Sequence, residues 1–390
     1  MASRALAAAL SGLHFSLLAA PPAGPAVDVA RVDRARILQA AGAALALDPI
    51  AITDFPAKLS AGGLHDFYSN GDYFWPDTNK PGGLPYVNRD GQSNPGMFFE
   101  HRRCVTRLRD AVAALGAAWK ITGDNRYPAK AAGLLRVFFL DPKTRMNPSL
   151  DYAQAVPGVT PGRSYGIIDT LHLAEVPLAI AAMTNSPAFP PETLAGLKDW
   201  FRDYAQWMTT SKNGQDEARA ANNHAVAFHL QLAVFAQFAG DAPKLAECRR
   251  QFKEVFLAKQ MAADGSFPAE LKRTKPYGYS IFQLDNMAAL AQVLSTGDEN
   301  LWIFTLPDGR GMRRAMEFLF PYLADKSKWP QPPDVQAWDG WPARQPCLLF
   351  AGLAYGTKEY LDLWEKLPAD PADPEVRRNL AITQPLLWLR

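Results

Sequence analysis

Cysteine is scarce in this chain, with three residues, Cys104, Cys248 and Cys347, among 390. An odd number, set far apart in apolar or helical contexts, excludes a disulfide framework and marks them as core residues. Neither a His-Glu-x-x-His nor a Cys-x-x-Cys spacing occurs, so neither a metal nor a cofactor is expected. Charge is almost balanced, 41 Lys and Arg against 39 Asp and Glu, a net of +2 that argues against a nucleic-acid partner. No Ser/Gly linker or low-complexity tract divides the chain. No apolar–polar alternation runs long enough to build a sheet.

What is present is an ordinary globular composition, 48% hydrophobic and 21% charged, with ample material for a core. Residues 1–26 read as a secretory leader: Arg4 in a short positive region, an apolar run from Ala5 to Ala20, and small residues from Ala23 to Ala26 for cleavage. The run is too short and alanine-rich for a membrane span. A mature chain of residues 27–390, periplasmic or secreted and free of the membrane after cleavage, is therefore expected.

From Asp28 onward the period is helical. Helices are predicted over Asp28–Ala46, Phe98–Ile121, Tyr127–Leu140 and Ala225–Ala239. Thr122-Gly-Asp124 recurs as Ala239-Gly-Asp241 and Thr296-Gly-Asp298, more loosely as Tyr355-Gly-Thr357. In each, Gly suits a helix C-cap and the next residue an N-cap. The pattern predicts an all-α chain, a single (α/α) toroid of about six or seven helical hairpins.

Three loops break the helices. Gly71 to Gly91 carries Tyr73, Trp75, Tyr86 and Arg89 among glycines and prolines. A long ordered loop of this composition is usually functional, and Tyr73 and Trp75 are candidates to stack on sugar rings. Met146 to Asp169 offers Gln154 and Arg163 as substrate contacts, with Asp169 expected to orient Arg163 or cap a helix. Trp329 to Pro346 offers Arg344. His172 and His229 lie on apolar helical faces and read as hydrogen-bonded core histidines.

Two further stretches carry the chemistry. Asn222, Asn223 and His224 head an apolar helix, where free backbone N–H groups need acceptors. Asp264 to Tyr279 brings Lys272, Arg273, Lys275, Tyr277 and Tyr279 together before another apolar helix. An amide, an imidazole, a guanidinium and a phenol suit removal of a proton beside a carboxylate. The C5 proton of a uronic acid becomes labile only when the C6 carboxylate is neutralised by donors or cations, for which Asn223, His224 and Arg273 are the right types. Tyr279 then serves as base and acid, with nearby cations expected to lower its pKa. Where the proton and O4 lie on opposite ring faces, His224 would be the base and Tyr279 the acid.

Asn222 to His224 and Pro268 to Leu284 resemble the alginate lyase superfamily. In polysaccharide lyase family 5 an Asn-His pair, an Arg and a Tyr form the active centre on an α/α toroid, and Asn223, His224, Arg273 and Tyr279 match those positions. The Arg273–Tyr279 loop is one residue shorter here, and Tyr277 is a competing phenol. Gly71 to Pro76, Met146 to Pro148 and Arg273 to Ser280 resemble polysaccharide lyase family 38 more closely, whose members act on glucuronan or alginate. The resemblance implies a cofactor-free lyase for an acidic polysaccharide, a β-1,4-linked polyuronate. Asn222, Tyr277, Gln154, Arg163, Tyr73, Trp75 and Arg344 would line its cleft. Two rivals are a toroidal glycoside hydrolase using two of Asp169, Glu270 and Asp285, and a non-catalytic periplasmic polyuronate-binding protein.

Overall fold

The computed structural model describes residues 27–389, so the predicted leader lies outside the described residues. In chain order its helices are α1 (Val29–Val32), α2 (Arg34–Leu45), α3 (Glu100–Thr122), α4 (Arg126–Phe139), α5 (Glu175–Met183), α6 (Pro191–Thr210), α7 (Lys212–Ala218) and α8 (Asn223–Ala239). Then come α9 (Ala242–Gln251), α10 (Pro268–Leu271), α11 (Pro276–Leu294), α12 (Met312–Ala324), α13 (Pro346–Tyr355), α14 (Lys358–Lys366) and α15 (Pro374–Asn379).

Glycine punctuation sets the hairpins. Gly123, Gly240 and Gly356 are left-handed, with φ of 69°, 79° and 64°, and they close α3, α8 and α13 as their spacing predicts. Thr296-Gly-Asp298 does not play this part, because α11 already ends at Leu294 with an extended Ser295. The first predicted helix is also interrupted. Asp33 stands between α1 and α2, and its carboxylate is drawn to Arg36 and Arg344.

The helices pack in two layers. α3, α5, α8, α11 and α13 contact one another in that order, each neighbour against the next. α2 and α4 cover α3, α6 and α9 cover α8, α12 lies on α11, and α14 on α13. The inner helices α8 and α11 are apolar on every side, as elements enclosed on all faces must be. A C-terminal 3-10 turn, Pro385–Trp388, touches α3, α5 and α11. Lys120 on α3 donates to Leu386 O at 2.9 Å and Gln292 on α11 to Trp388 O at 3.0 Å, which joins the two ends of the inner layer. The result is an (α/α) toroid around one contiguous core. Cys104, Cys248 and Cys347 are free and buried in it.

Short strands pin the loops at one mouth. β1 (Tyr68–Asn70) runs parallel to β4 (Tyr152–Ala155), pairing Tyr68 with Tyr152 and Asn70 with Ala155. β2 (Phe74–Trp75) is antiparallel to β3 (Val87–Asn88). They anchor the Gly71–Gly91 and Met146–Asp169 loops to the same rim.

Candidate active site

Tyr279 lies in the first turn of α11, and a distant residue fixes that turn. Lys275 at the N-cap offers no side-chain acceptor, whereas Asp334 accepts from Tyr277 N at 2.9 Å and Gly278 N at 2.8 Å. This satisfies two N–H groups that a helix start leaves free. Position 278 must be glycine for it: a Cβ there would lie 2.8 Å from Asp334 Oδ2 and 2.9 Å from Trp341 Nε1.

The Tyr279 hydroxyl meets the Tyr73 hydroxyl at 2.8 Å and accepts from Arg273 Nη2 at 3.3 Å. Arg273 also stacks its guanidinium 4.3 Å from the Tyr279 ring. Asp90 orients Arg273 through two bonds, Nε at 3.1 Å and Nη2 at 2.6 Å, leaving Nη1 without a protein partner among the described residues. Gly91, at φ 74°, lets this loop press on Thr274, since a Cβ would stand 2.3 Å from Thr274 Oγ1. Lys275 Nζ and Arg378 Nη2 both donate to Tyr73 Oη, at 3.2 Å and 3.4 Å. Arg378 in turn pairs with Asp72 and Glu375, and Arg102 pairs with Asp72.

The opening motif forms a second cluster. Asn222 caps α8, its side chain accepting from His224 N. Asn223 is buried, and it donates its backbone N–H to Glu270 Oε1 at 2.8 Å and its amide to Glu270 Oε2 at 2.6 Å. One amide hydrogen of Asn223 remains for a ligand. His224 Nδ1 faces Glu217 Oε1 at 2.6 Å. A carboxylate only accepts, so Nδ1 is the donor and Nε2 carries the lone pair when the ring is neutral. Tyr165, 46% exposed, packs edge-on to His224 with centroids 4.9 Å apart.

Arg163 joins the clusters, its guanidinium 4.7 Å from the Phe74 ring and 4.9 Å from the Tyr165 ring. Gln154, at φ 48°, holds it by accepting from Arg163 Nη2 at 2.7 Å. Asp169 acts one step further back than the sequence suggests. It accepts from Gln154 Nε2 at 3.1 Å and from Ser69 Oγ at 2.5 Å, and so orients Gln154 rather than Arg163.

Three expectations need correction. Tyr277 is fully buried, donates to Tyr322 O at 2.9 Å and packs on Trp329 and Trp338, so it is no competing phenol. Arg344 binds Asp33 at 2.7 Å and lies over Trp364, tying the loop before α13 to the chain's first helices instead of lining the cleft. Trp75, by contrast, stays partly exposed, with a ring face engaged by Arg89 at 5.0 Å and its Nε1 bonded to Gln92 O. The Tyr279 pKa is raised, not lowered: burial pushes it well up, Tyr73 adds to this, and Arg273 only partly offsets both. Of the two core histidines, His229 bonds Ala225 O at 2.7 Å, whereas buried His172 leaves Nδ1 without a partner among the described residues.

Sequence reasoning missed Asp90, Glu217, Tyr165, Glu375 and Arg378 as parts of the site. Each is an ordinary charged or aromatic residue with no local motif; Glu217 meets His224 seven residues on, across the turn from α7 to α8, and the fold brings the others to partners far along the chain. Among the described residues no three His, Cys, Asp or Glu side chains converge to hold a metal.

The family described as alginate lyase matches residues 52–329. The crystal structure of an alginate lyase from Bacteroides ovatus superposes with a TM-score of 0.80 at 33% identity, over 93% of this chain and 94% of that one. Alginate lyase A1-III from Sphingomonas species A1 gives 0.50 at 18% identity, over 84% and 86%. Its histidine-to-alanine variant complexed with a tetrasaccharide gives 0.51 at 17%, over 83% and 84%. The Sphingomonas likeness shows a shared fold. No curated protein gives a significant match. The matched span contains Asn223, His224, Arg273 and Tyr279, and with the extended Bacteroides alignment it shows that the chain belongs to the alginate lyase family.

Proposed function

We propose that the protein cleaves a β-1,4-linked polyuronate, alginate in its mannuronate form or glucuronan, by β-elimination, leaving a 4,5-unsaturated uronate end. The observation that carries this is the meeting of Tyr279, Tyr73 and Arg273 at the toroid mouth, with Asn223 and His224 anchored on buried carboxylates in the same rim. The free amide hydrogen of Asn223, the Nη1 of Arg273 and the His224 ring are the groups that would neutralise the C6 carboxylate, which makes the C5 proton labile. Tyr279 takes that proton as the C4–O4 bond breaks, and returns it to O4. This suits mannuronate and glucuronate, in which both groups lie on one ring face. For guluronate, the His224 Nε2 lone pair would take the proton and Tyr279 would serve O4.

The alginate lyase of Bacteroides ovatus, similar over nearly its whole length, supports alginate as the first substrate to try. The tetrasaccharide complexes of the Sphingomonas enzyme support an oligosaccharide in the cleft. The hydrolase reading fares worse. Asp169, Glu270 and Asp285 are all buried, and each is occupied by protein donors: Ser69 and Gln154, Asn223, and Cys347 N. Export to the periplasm or outside the cell, and a single lyase domain over residues 27–390, belong to the same proposal.

The test is ultraviolet absorbance of the purified protein with polymannuronate, polyguluronate and glucuronan in turn. Rising absorbance reports the conjugated double bond, and the fastest substrate names the sugar. Flat absorbance with new reducing ends on any of them would replace the lyase by a hydrolase. Binding without either signal would leave a polyuronate-binding protein.

A further inference from the structure

The C-terminal helix α15 lies outside the residues matched by the family, yet its Arg378 reaches the centre of the site. Lys275 and Arg378 both point at the Tyr73 oxygen, at 3.2 Å and 3.4 Å, and neither side chain can accept a hydrogen bond. With both phenols neutral, those two donors fill the Tyr73 lone pairs, and the Tyr73 hydrogen is left to Tyr279. Removal of one proton from the pair changes the count. A phenolate at Tyr73 can accept from Lys275, Arg378 and Tyr279 together. A phenolate at Tyr279 would accept from Arg273 and Tyr73 alone, with Lys275 5.1 Å from its ring centre rather than bonded to its oxygen, and in a more deeply buried position. Two cations within hydrogen-bond reach outweigh one where water is largely excluded.

We propose that Lys275 and Arg378 are positioning residues that load the negative charge of the phenol pair onto Tyr73, leaving Tyr279 as the phenol that exchanges protons with substrate. The proposal rests on the lyase reading. In the elimination the C5 proton passes to the Tyr279 oxygen while the Tyr279 proton moves to Tyr73. The C5–H electron pair becomes the C4=C5 double bond, and C4–O4 breaks. Tyr279 then gives a proton to O4 and recovers one from Tyr73, so the pair ends as it began.

Charged groups face the pair from several elements, and Asp334, which caps α11, also acts on Lys275. On the segment before α11, Arg273 is held by Asp90, and Lys275 by Glu375 at 2.5 Å. On α15, Arg378 is shared between Asp72 and Glu375. On α3, Arg102 binds Asp72 and lies 3.8 Å from Asp169. Glu270 and His224 lie beyond Arg273, on the Asn223 side. Glu375 therefore orients both positioning cations at once. Its carboxyl is held down at about 2, the pull of Arg378 and Lys275 overcoming the upward push of burial.

The experiment compares the full chain with Arg378→Gln, Tyr73→Phe and the double variant in two pH titrations. One follows tyrosinate absorbance without substrate, the other kcat and KM on the best polyuronate. Arg378→Gln should raise the midpoint of the lowest tyrosinate transition, and of the rising limb of kcat, by about one pH unit with KM little changed. Tyr73→Phe should abolish that transition, and adding Arg378→Gln should then move nothing further. Arg378→Lys should restore the original midpoint. An Arg378→Gln midpoint that stays in place, or that moves equally in the Tyr73→Phe background, overturns the proposal. Should Arg378→Gln fail to fold, Lys275→Met, which spares the Arg378 ion pairs, is read by the same criteria. The absorbance titration needs no turnover: a protein that titrates as expected but cleaves no polyuronate sinks the lyase reading instead.

Discussion

Glu270 receives both the backbone N–H and the side-chain amide of Asn223, one on each carboxylate oxygen, at 2.8 Å and 2.6 Å. It is 1% exposed, and burial raises its pKa against the pull of those two donors. Such a group anchors a neighbour. Both of its oxygens are engaged by Asn223.

Glu270→Gln places an amide nitrogen against one of the Asn223 donors, so one buried donor loses its acceptor. The expected cost is about 1–3 kcal/mol of stability, together with reduced kcat because the Asn223 amide is no longer aimed. Chemical denaturation and steady-state kinetics check both. A variant of wild-type stability and activity would show that the pairing has no role.

Tyr279→Phe keeps the ring under Arg273 and removes the proton-transferring oxygen. Oligouronate binding by calorimetry should persist while turnover falls by about two to four orders of magnitude. Unchanged turnover would remove Tyr279 from the mechanism.

Stability should fall in acid through Glu375. Its folded-state pKa, about 2 against an ordinary 4.5, means that the folded protein binds fewer protons here than the unfolded chain. The stabilisation is present above pH 4.5 and is lost as pH falls from there towards 2. At 1.36 kcal/mol per unit, it amounts to roughly 3 kcal/mol. Unfolding free energy measured against pH should be flatter across that window in Glu375→Gln than in the parent. Parallel curves would show that Glu375 gains no such stabilisation.

Arg344→Ala separates the corrected role from the expected one. Its loss leaves the Asp33 carboxylate, 2% exposed, with Arg36 alone. Stability should drop by about 1–3 kcal/mol, while KM for polyuronate stays at the parent value. A raised KM would return Arg344 to the cleft.

Much of the site was legible where chemistry is local. Asn223 and His224 stand out because polar residues heading an apolar helix need a reason, and Arg273 and Tyr279 because cations and phenols crowd a helix start. Tyr73 and Arg163 stand out because aromatics and cations recur in glycine-rich loops. Tyr277, two residues from Tyr279, was indistinguishable by composition. On a helix such neighbours point in different directions, and the cap from Asp334 sets which of them faces inward. Arg344 misled for a related reason, since a loop cation can serve a cleft or a chain terminus with the same local sequence.

The order of residues alone therefore determined the helical class, the glycine stops of α3, α8 and α13, the absence of a disulfide framework and the types of group available to the chemistry, because these depend on neighbours a few positions apart. The tertiary structure decided the pairing of Tyr73 with Tyr279, of Asp90 with Arg273, of Glu217 with His224, and the arrival of Arg378 from the last helix. Apart from Glu217 and His224, seven residues apart across the turn from α7 to α8, those contacts join segments distant along the chain, and it is the closure of the toroid that brings their partners within hydrogen-bond reach.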